Sequence, residues 1–374
     1  MIIVEKVITK NQQKEFLEFP LSLYKDNPYF VPSLYLMEKD IFNKNYGYYD
    51  TCESVCFNAY IDNKVVGRIQ AILQKASNEK YNQRRIRFTR FDCIDNQDVA
   101  NALFDKVKEY ALSKNMNELV GPLGFSDLER EGLLIEGFDK LSTFEEQYNY
   151  DYYQKLIENY GFKKEVDWVE HQLRLLPSAK ERLDKYSSLI LKRFNLKVSK
   201  CKSVNEFMKR YLDQFFDIID ETYKDLYGTV PFTESSKAML TSTFKLIVNE
   251  RQVKVIVDEN DRVVCFGICF PSLSKAVQKS QGKLTIPCLF RLLNAIKNPK
   301  SIDLGLIGVL PEYAKKGVAT ILLKEIMDLM IEDNLEYAET NLNLETNISI
   351  INQWKNFDTI QHKRRRCFVM KIGD

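Results

Sequence analysis

The same order of apolar strands and amphipathic helices runs along this chain twice, and few folds accept that order. In the first half, Met1-Ile-Ile-Val4 reads as a strand. Val55 to Tyr60 is an apolar, β-rich run. Asp62-Asn63 is a turn signal, and Val65 to Ile72 is the return strand of a hairpin. Ile86 to Ile94 is a further strand, and Asp95-Asn-Gln-Asp98 supplies an N-cap. A helix follows from about Val99 to Ser113, with apolar residues at helical spacing. Leu119-Val120 runs into Gly121-Pro122, which ends that strand. A short helix over Asp151 to Tyr160 closes on Gly161, and Trp168 to Leu175 is the last strand of the half.

Pro177 to Ser188 reads as a linker helix, and the order then restarts. Phe194 to Lys200 is a strand, Asn205 to Leu226 an amphipathic helix, and Thr233 caps a helix to Val248. Val253 to Val257 and Arg262 to Phe270 form a hairpin. Asp303 to Leu310, Lys316 to Asp333 and Tyr337 to Leu344 give strand, helix, strand. Asn347 to Asn356 is a short helix and Phe368 to Ile372 the final strand. Two tandem α/β (α+β) domains are expected, over 1–176 and 177–374, each a mixed, mostly antiparallel sheet flanked by helices. The apolar stretch at about 273–300 interrupts the second copy. It is expected to pack as partner helices, with a mobile lid as the alternative.

Bulk composition excludes several classes. The 374 residues carry 54 basic and 52 acidic side chains, a net charge of +2, so there is no global field for nucleic acid. Lys363-Arg-Arg-Arg366 is a local basic run. It is expected to be a solvated edge of the last strand, the alternative being a contact to an anionic ligand. Eight scattered cysteines without a CxxC pair, and only His171 and His362 to help them, argue against a metal site. Reduced thiols and a cytoplasmic protein follow. No stretch is long enough to span a membrane, and no leader is expected because Glu5 and Lys6 follow the apolar start at once.

The segment that carries chemistry runs from Leu304 to Met327. An apolar strand ends at Pro311, and a short loop with Gly317 and Ala319 opens a helix. Small residues let the backbone approach a ligand, and the free N–H groups of a first helical turn suit a pyrophosphate. Lys315 and Lys316 add positive charge. The run from Gly308 to Leu323 resembles the pyrophosphate-binding motif of the GNAT N-acyltransferases, Arg/Gln-x-x-Gly-x-Gly/Ala. Gly317 and Ala319 match its last two positions, and Ala314 stands where Arg or Gln is usual.

Four further segments extend the likeness: Tyr24 to Pro32, Gly121 to Ser126, Gly132 to Asp139 and Leu226 to Pro231. They are similar to a bacterial family of tandem GNAT proteins, the YghO-like group. The resemblance implies acetyl-CoA or another acyl-CoA bound at Gly308, Val309, Lys315, Lys316, Gly317, Val318, Ala319 and Thr320. It also implies Asn347 near the pantetheine arm. Trp354 stands where many members carry a tyrosine that protonates the departing thiolate, and an indole cannot do that.

The first half has no such loop, and Asp95 and Asp98 would repel a pyrophosphate. It is expected to be degenerate for the cofactor, and structural or one wall of a substrate cleft. Strand alternation sets Tyr337, Glu339, Asn341 and Asn343 on one face. Glu339 is the candidate base, and Tyr227 a hydrogen-bond donor to the same cleft. The expected activity is transfer of an acyl group, acetyl above all, to the amine of a small molecule or peptide. A non-catalytic acyl-CoA sensor and a Fem-type aminoacyl transferase are the alternatives. Neither membrane nor nucleic acid is an expected partner, and the chain is expected to be a monomer or homodimer.

Overall fold

One sheet of fourteen strands runs through both halves of the protein in a computed structural model that describes residues 1–373. The first half comprises β1 (Ile2–Lys6), α1 (Lys10–Leu23), α2 (Tyr35–Lys39), β2 (Cys52–Ile61), β3 (Lys64–Gln74), α3 (Lys75–Lys80), β4 (Arg85–Cys93), α4 (Gln97–Ser113), β5 (Glu118–Gly121), β6 (Leu133–Glu136), α5 (Tyr152–Tyr160) and β7 (Lys163–Arg174). The second begins with α6 (Pro177–Arg193), β8 (Lys197–Ser199), α7 (Val204–Tyr223), α8 (Glu234–Ile247), β9 (Val253–Val257) and β10 (Val263–Pro271). It continues through α9 (Ser274–Lys279), α10 (Ile286–Lys297), β11 (Ser301–Val309), α11 (Pro311–Ala314), α12 (Ala319–Glu332), β12 (Tyr337–Thr340), β13 (Asn343–Leu344), α13 (Ile348–Gln353) and β14 (Asp358–Lys371).

Local chemistry accounts for most elements. Asp62 and Asn63 take positive φ, 49° and 59°, and close the β2–β3 hairpin. Asn96 caps α4 by accepting from the N–H groups of Asp98 and Val99. Thr233 caps α8 in the same way, accepting from the Ser236 N–H. Gly161 ends α5 at φ 116°, a conformation that glycine adopts without strain. In the first half Val99, Leu103, Phe104 and Val107 of α4 are fully buried on the sheet. Each contributes about 1.5–3 kcal/mol through burial. On the second half Ile321, Leu322, Ile326 and Met330 of α12 do the same.

The path of the sheet is β1-β2-β3-β4-β5-β14-β7-β12-β11-β10-β9-β8. Among the described residues only β4–β5 and β11–β12 are parallel, each joined through a helix. The terminal strands of the halves are exchanged. β14, from the end of the chain, pairs with β5, β6 and β7, and β7 pairs with β12. The expected division at 176/177 falls in the turn between β7 and α6, but the sheet continues across it.

This arrangement corrects the expectation for Lys363-Arg-Arg-Arg366. The final strand starts ten residues before the expected Phe368 and lies mid-sheet, so the run is no solvated edge. Lys363 and Arg365 are completely buried. The reason is charge pairing with β7, whose carboxylates lie opposite. Arg365 Nε donates to Glu170 Oε1 at 2.7 Å, and Lys363 Nζ to Glu170 Oε2 at 3.2 Å and to Glu339. On alternate positions Arg364 and Arg366 both donate to Asp167, at 3.1 and 2.8 Å. The exchange of strands is thus closed by a seam of ion pairs.

The 273–300 segment forms α9 and α10. Leu292, Ala295 and Ile296 of α10 pack on a small core of Val31, Phe144, Leu273 and Val277.

Candidate functional site

The parallel pairing of β11 with β12 ends at Leu304 and Thr340, and beyond that point the two strands part. A β-bulge marks the place. Ile268 of β10 faces Leu306 and Cys269 faces Leu304, so Gly305 is the extra residue. A Cβ at Gly305 would lie 2.1 Å from the Phe270 ring, so glycine alone fits. The gap opens on a cavity of about 450 Å³, within the usual range of ligand sites.

Strand alternation decides what β11 offers to the gap. The Leu310 N–H bonds back to Val264, so Ile307 and Val309 turn their N–H and C=O groups away from β10. Tyr223 of α7 occupies the Ile307 pair, its hydroxyl donating to the C=O at 3.0 Å and accepting from the N–H at 3.2 Å. Among the described residues, nothing accepts from the Val309 N–H.

The cavity walls differ in character. One is apolar, built by Phe215 and Phe216 of α7 and Leu240, Phe244 and Ile247 of α8. The first half supplies the polar wall, including Glu38, Arg90, Glu131, Glu145 and Glu146. Arg90 sits at a β-bulge of β4 with φ 50°, an uncommon backbone for a bulky residue. It donates to Glu38 at 2.8 and 3.2 Å and to Gln70 at 2.9 Å. In the first half, then, the protein's own ion pair occupies the place beside the bulge.

Burial pushes the Glu145 carboxyl up to about 7, against the pull of Arg130. Burial also pushes Glu146 up to about 8, although Arg365 lies 3.7 Å away. Glu145 makes no ion pair or side-chain hydrogen bond among the described residues, and it keeps part of its surface open to the cavity. Glu131, buried beside Asp127, is held well above the ordinary carboxylate range.

The expected site residues divide into groups. Gly308, Val309, Lys315, Lys316, Gly317, Val318, Ala319 and Thr320 lie along the end of β11 and the start of α12, outside the cavity wall. Gly317 has φ 74°, and Lys315 and Lys316 are exposed. Lys316 Nζ lies over the rings of Tyr313 and Phe194. Among the described residues no side chain caps α12, whereas Asn96 caps α4 in the corresponding place. Asn347 lines the cavity and caps α13 by accepting from the Ile350 N–H.

Tyr227 also lines the cavity. Its ring meets Trp168 edge-on at 5.9 Å, and its hydroxyl reaches Glu165 at 3.5 Å. Burial, with Cys367 and Glu165 beside it, pushes that hydroxyl well above the usual tyrosine range. The turn carrying it is held by the first half, with Arg87 donating to the Gly228 C=O at 2.9 Å and Lys80 to Thr229 at 2.8 Å.

The structure does not bring Glu339 to the cavity. It is buried in the seam beside Lys363, with His362 Nε2 at 3.3 Å. Burial raises its affinity for a proton, but Lys363 and His362 outweigh this and hold it below the usual range. Trp354 is buried on the cavity wall, its indole N–H donating to Asn343 at 2.8 Å. Neither Glu145 nor Tyr223 carries a local sequence signal, because their neighbours in the cavity come from distant parts of the chain. Glu145 lies in a loop without a motif, and Tyr223 reads as one more aromatic on an amphipathic helix.

The architecture is the tandem GNAT fold, with the parting of strands in the second half opening on a cavity walled by the first. It superposes on a tandem GNAT protein from the clavulanic acid biosynthesis pathway with a TM-score of 0.58 at 10% identity, covering 100% of this chain and 99% of that one. No family model matches the sequence. The chain is 26% identical to Protein YghO of Escherichia coli K12, over 99% of this chain and 95% of that protein. It is 23% identical to the bacterial ceramide synthase of Caulobacter vibrioides, over 97% of this chain and 95% of that one. Among the described residues there is no candidate metal cluster, and no helix is long and apolar enough to cross a membrane.

Proposed function

We propose that this protein is an acyl-CoA-dependent N-acyltransferase whose second half holds the cofactor and whose inter-half cavity receives the amine. The observation that carries this is the parting of β11 and β12 at Gly305 onto a cavity with Glu145 in its wall. The chain's residues fit the cofactor at three points. α12 has an uncapped start, Gly317 takes a positive φ beside two exposed lysines, and the Val309 N–H is turned to the gap. Acyl-CoA, when bound, supplies an acyl group activated as a thioester.

The protein's own groups then have defined tasks. The N–H groups at Gly317, Val318 and Ala319, with Lys315 and Lys316, would hold the pyrophosphate. The Val309 N–H, turned away from β10, would be the donor available to an acyl oxygen. Glu145, with its pKa near neutrality, takes the proton from the incoming ammonium in the role expected of Glu339. The apolar wall of α7 and α8 suits an acyl chain longer than acetyl, and the relative named a ceramide synthase supports the same choice. Tyr223, which fills the Ile307 edge of the gap, favours one second reading, a protein that binds acyl-CoA without turnover.

The test is release of free thiol from a series of acyl-CoA esters, acetyl to palmitoyl, in the presence of amino-alcohol and amino-acid acceptors. Turnover should rise with chain length. Glu145→Gln should lower kcat/KM by about 10²–10⁴-fold. It should also remove the rise in rate through pH about 7, because the base acts only when deprotonated. Binding of acyl-CoA without thiol release in any pairing would establish the second reading.

A further inference from the structure

From Arg262 to Ile302 the chain contains no Asp or Glu, although its overall charge is nearly balanced. Within this stretch the α9–α10 hairpin and its flanks carry Lys275, Lys279, Lys283, Arg291, Lys297 and Lys300. Among the described residues only Lys283 has an acidic partner, Glu18 at 3.7 Å.

The same hairpin leaves an apolar stripe uncovered. Ile286, Leu289, Phe290 and Leu293 follow the i, i+3, i+4, i+7 spacing of one helix face. They are 72, 48, 70 and 63% exposed. The neighbouring face of α10, through Leu292, Ala295 and Ile296, packs on the protein. α10 is therefore seated on one apolar face and presents a second to solvent. Such a stripe on a monomer surface marks a contact with something apolar.

The hairpin is fixed to the rim of the cavity. The Tyr35 N–H donates to the Gly282 C=O at 2.8 Å, and Gln278 donates to the carbonyls of Pro28 and Phe30 at 2.9 Å. A Cβ at Gly282, where φ is 71°, would strike the Ser33 carbonyl. Leu34, Phe144 and Ile247 belong both to the core beneath α10 and to the cavity wall. Exposed Met37 lines the cavity, and its chain neighbour Leu36 and the Ile247 neighbour Leu246 are exposed as well.

We infer that α10 docks this protein on an anionic lipid surface, with its apolar stripe in the interface and the surrounding lysines on the headgroups. Charge selects this occupant. An amphipathic helix with a basic polar face binds an interface through apolar burial and attraction to anionic lipid together. A second copy seated two-fold on the same face would set the cations of one hairpin against those of the other, only Lys283 having an acidic partner among the described residues. Absence of a spanning helix does not bear on such docking, because the helix lies in the plane of the surface. Docking sets the cavity rim against the bilayer, where a lipid amine or a long acyl chain would enter.

Vesicle flotation of the full chain tests this without any turnover, so failure of the acyl-transfer reading leaves the result intact. The protein should float with phosphatidylglycerol–phosphatidylcholine vesicles, much less with phosphatidylcholine alone, and less as salt is raised. Phe290→Ser with Leu293→Ser should lower the bound fraction about tenfold or more, with an unchanged melting curve, because both side chains are exposed. Arg291→Glu with Lys297→Glu should abolish the preference for anionic lipid. The inference is overturned if wild-type protein stays with the soluble fraction, or if both double variants float like wild type. It is also overturned if sedimentation shows a dimer that the serine variant dissolves, since a second copy would then be the occupant.

Discussion

Replacing Lys363 by methionine isolates the contribution of the buried seam. Methionine keeps the length and apolar stem of lysine but removes the charge. Glu339 and Glu170 would then lie buried with one cation fewer, Arg365 and His362 remaining near them. Loss of one partner from a buried ion pair costs about 3–5 kcal/mol, most of it from the charge left behind. The sign of the pH dependence separates this from a packing defect. In the native protein Glu339 is held below its usual range, so its stabilising contribution is present above the unfolded pKa and is lost as the pH falls. Without Lys363, burial dominates and raises Glu339 above that range. The variant should therefore recover stability as the pH falls from 8 toward 5, while the native protein recovers none from this group. Urea unfolding at several pH values measures both effects. A loss below about 1 kcal/mol, or one that is the same at every pH, would refute the account of the seam as compensated charge. Adding Glu339→Gln to Lys363→Met should restore part of the loss.

Three further outcomes follow from the site. Gly317→Glu puts a carboxylate and a side chain at φ 74° beside the uncapped start of α12. Calorimetry should show acyl-CoA binding weakened at least about tenfold with the fold retained. Gly305→Val would drive a Cβ into the Phe270 ring, and should cost about 1–3 kcal/mol as well as closing the gap, read by urea unfolding and by loss of binding. Glu38, buried against Arg90, is held down to about 2 despite the cost of burial. Its contribution is complete above the unfolded pKa near 4.5 and should fade as the pH falls through 4 toward 2. Glu38→Gln should flatten that part of the stability curve.

What could be read from the residues alone was whatever local chemistry decides. The Asp62-Asn63 hairpin, the α4 cap at Asn96, the Gly161 stop and the doubled order of elements all depend on neighbours a few positions away. The exchange of terminal strands does not. Four successive cations at Lys363–Arg366 suggest an exposed edge to any local rule, because the carboxylates that neutralise them, Asp167 and Glu170, lie on a strand almost two hundred residues earlier. Glu339 looked available for the same reason, since alternation gives its face but not the lysine waiting there. Glu145 had no local signal at all. Its perturbed carboxyl comes from a wall that the first half builds around a gap in the second.

The exchanged strands also constrain how the chain can be made. Glu170 is separated by 193 residues from the lysine that neutralises it. At roughly 5–20 residues per second, the ribosome delivers that lysine some 10–40 s after β7 has emerged. In that interval the nascent first half has a free edge at β5 and a last strand with no partner on either side. The carboxylates of Asp167 and Glu170, still hydrated, make β7 a poor template for another chain. The groups that later close the sheet thereby protect the unfinished protein on the ribosome.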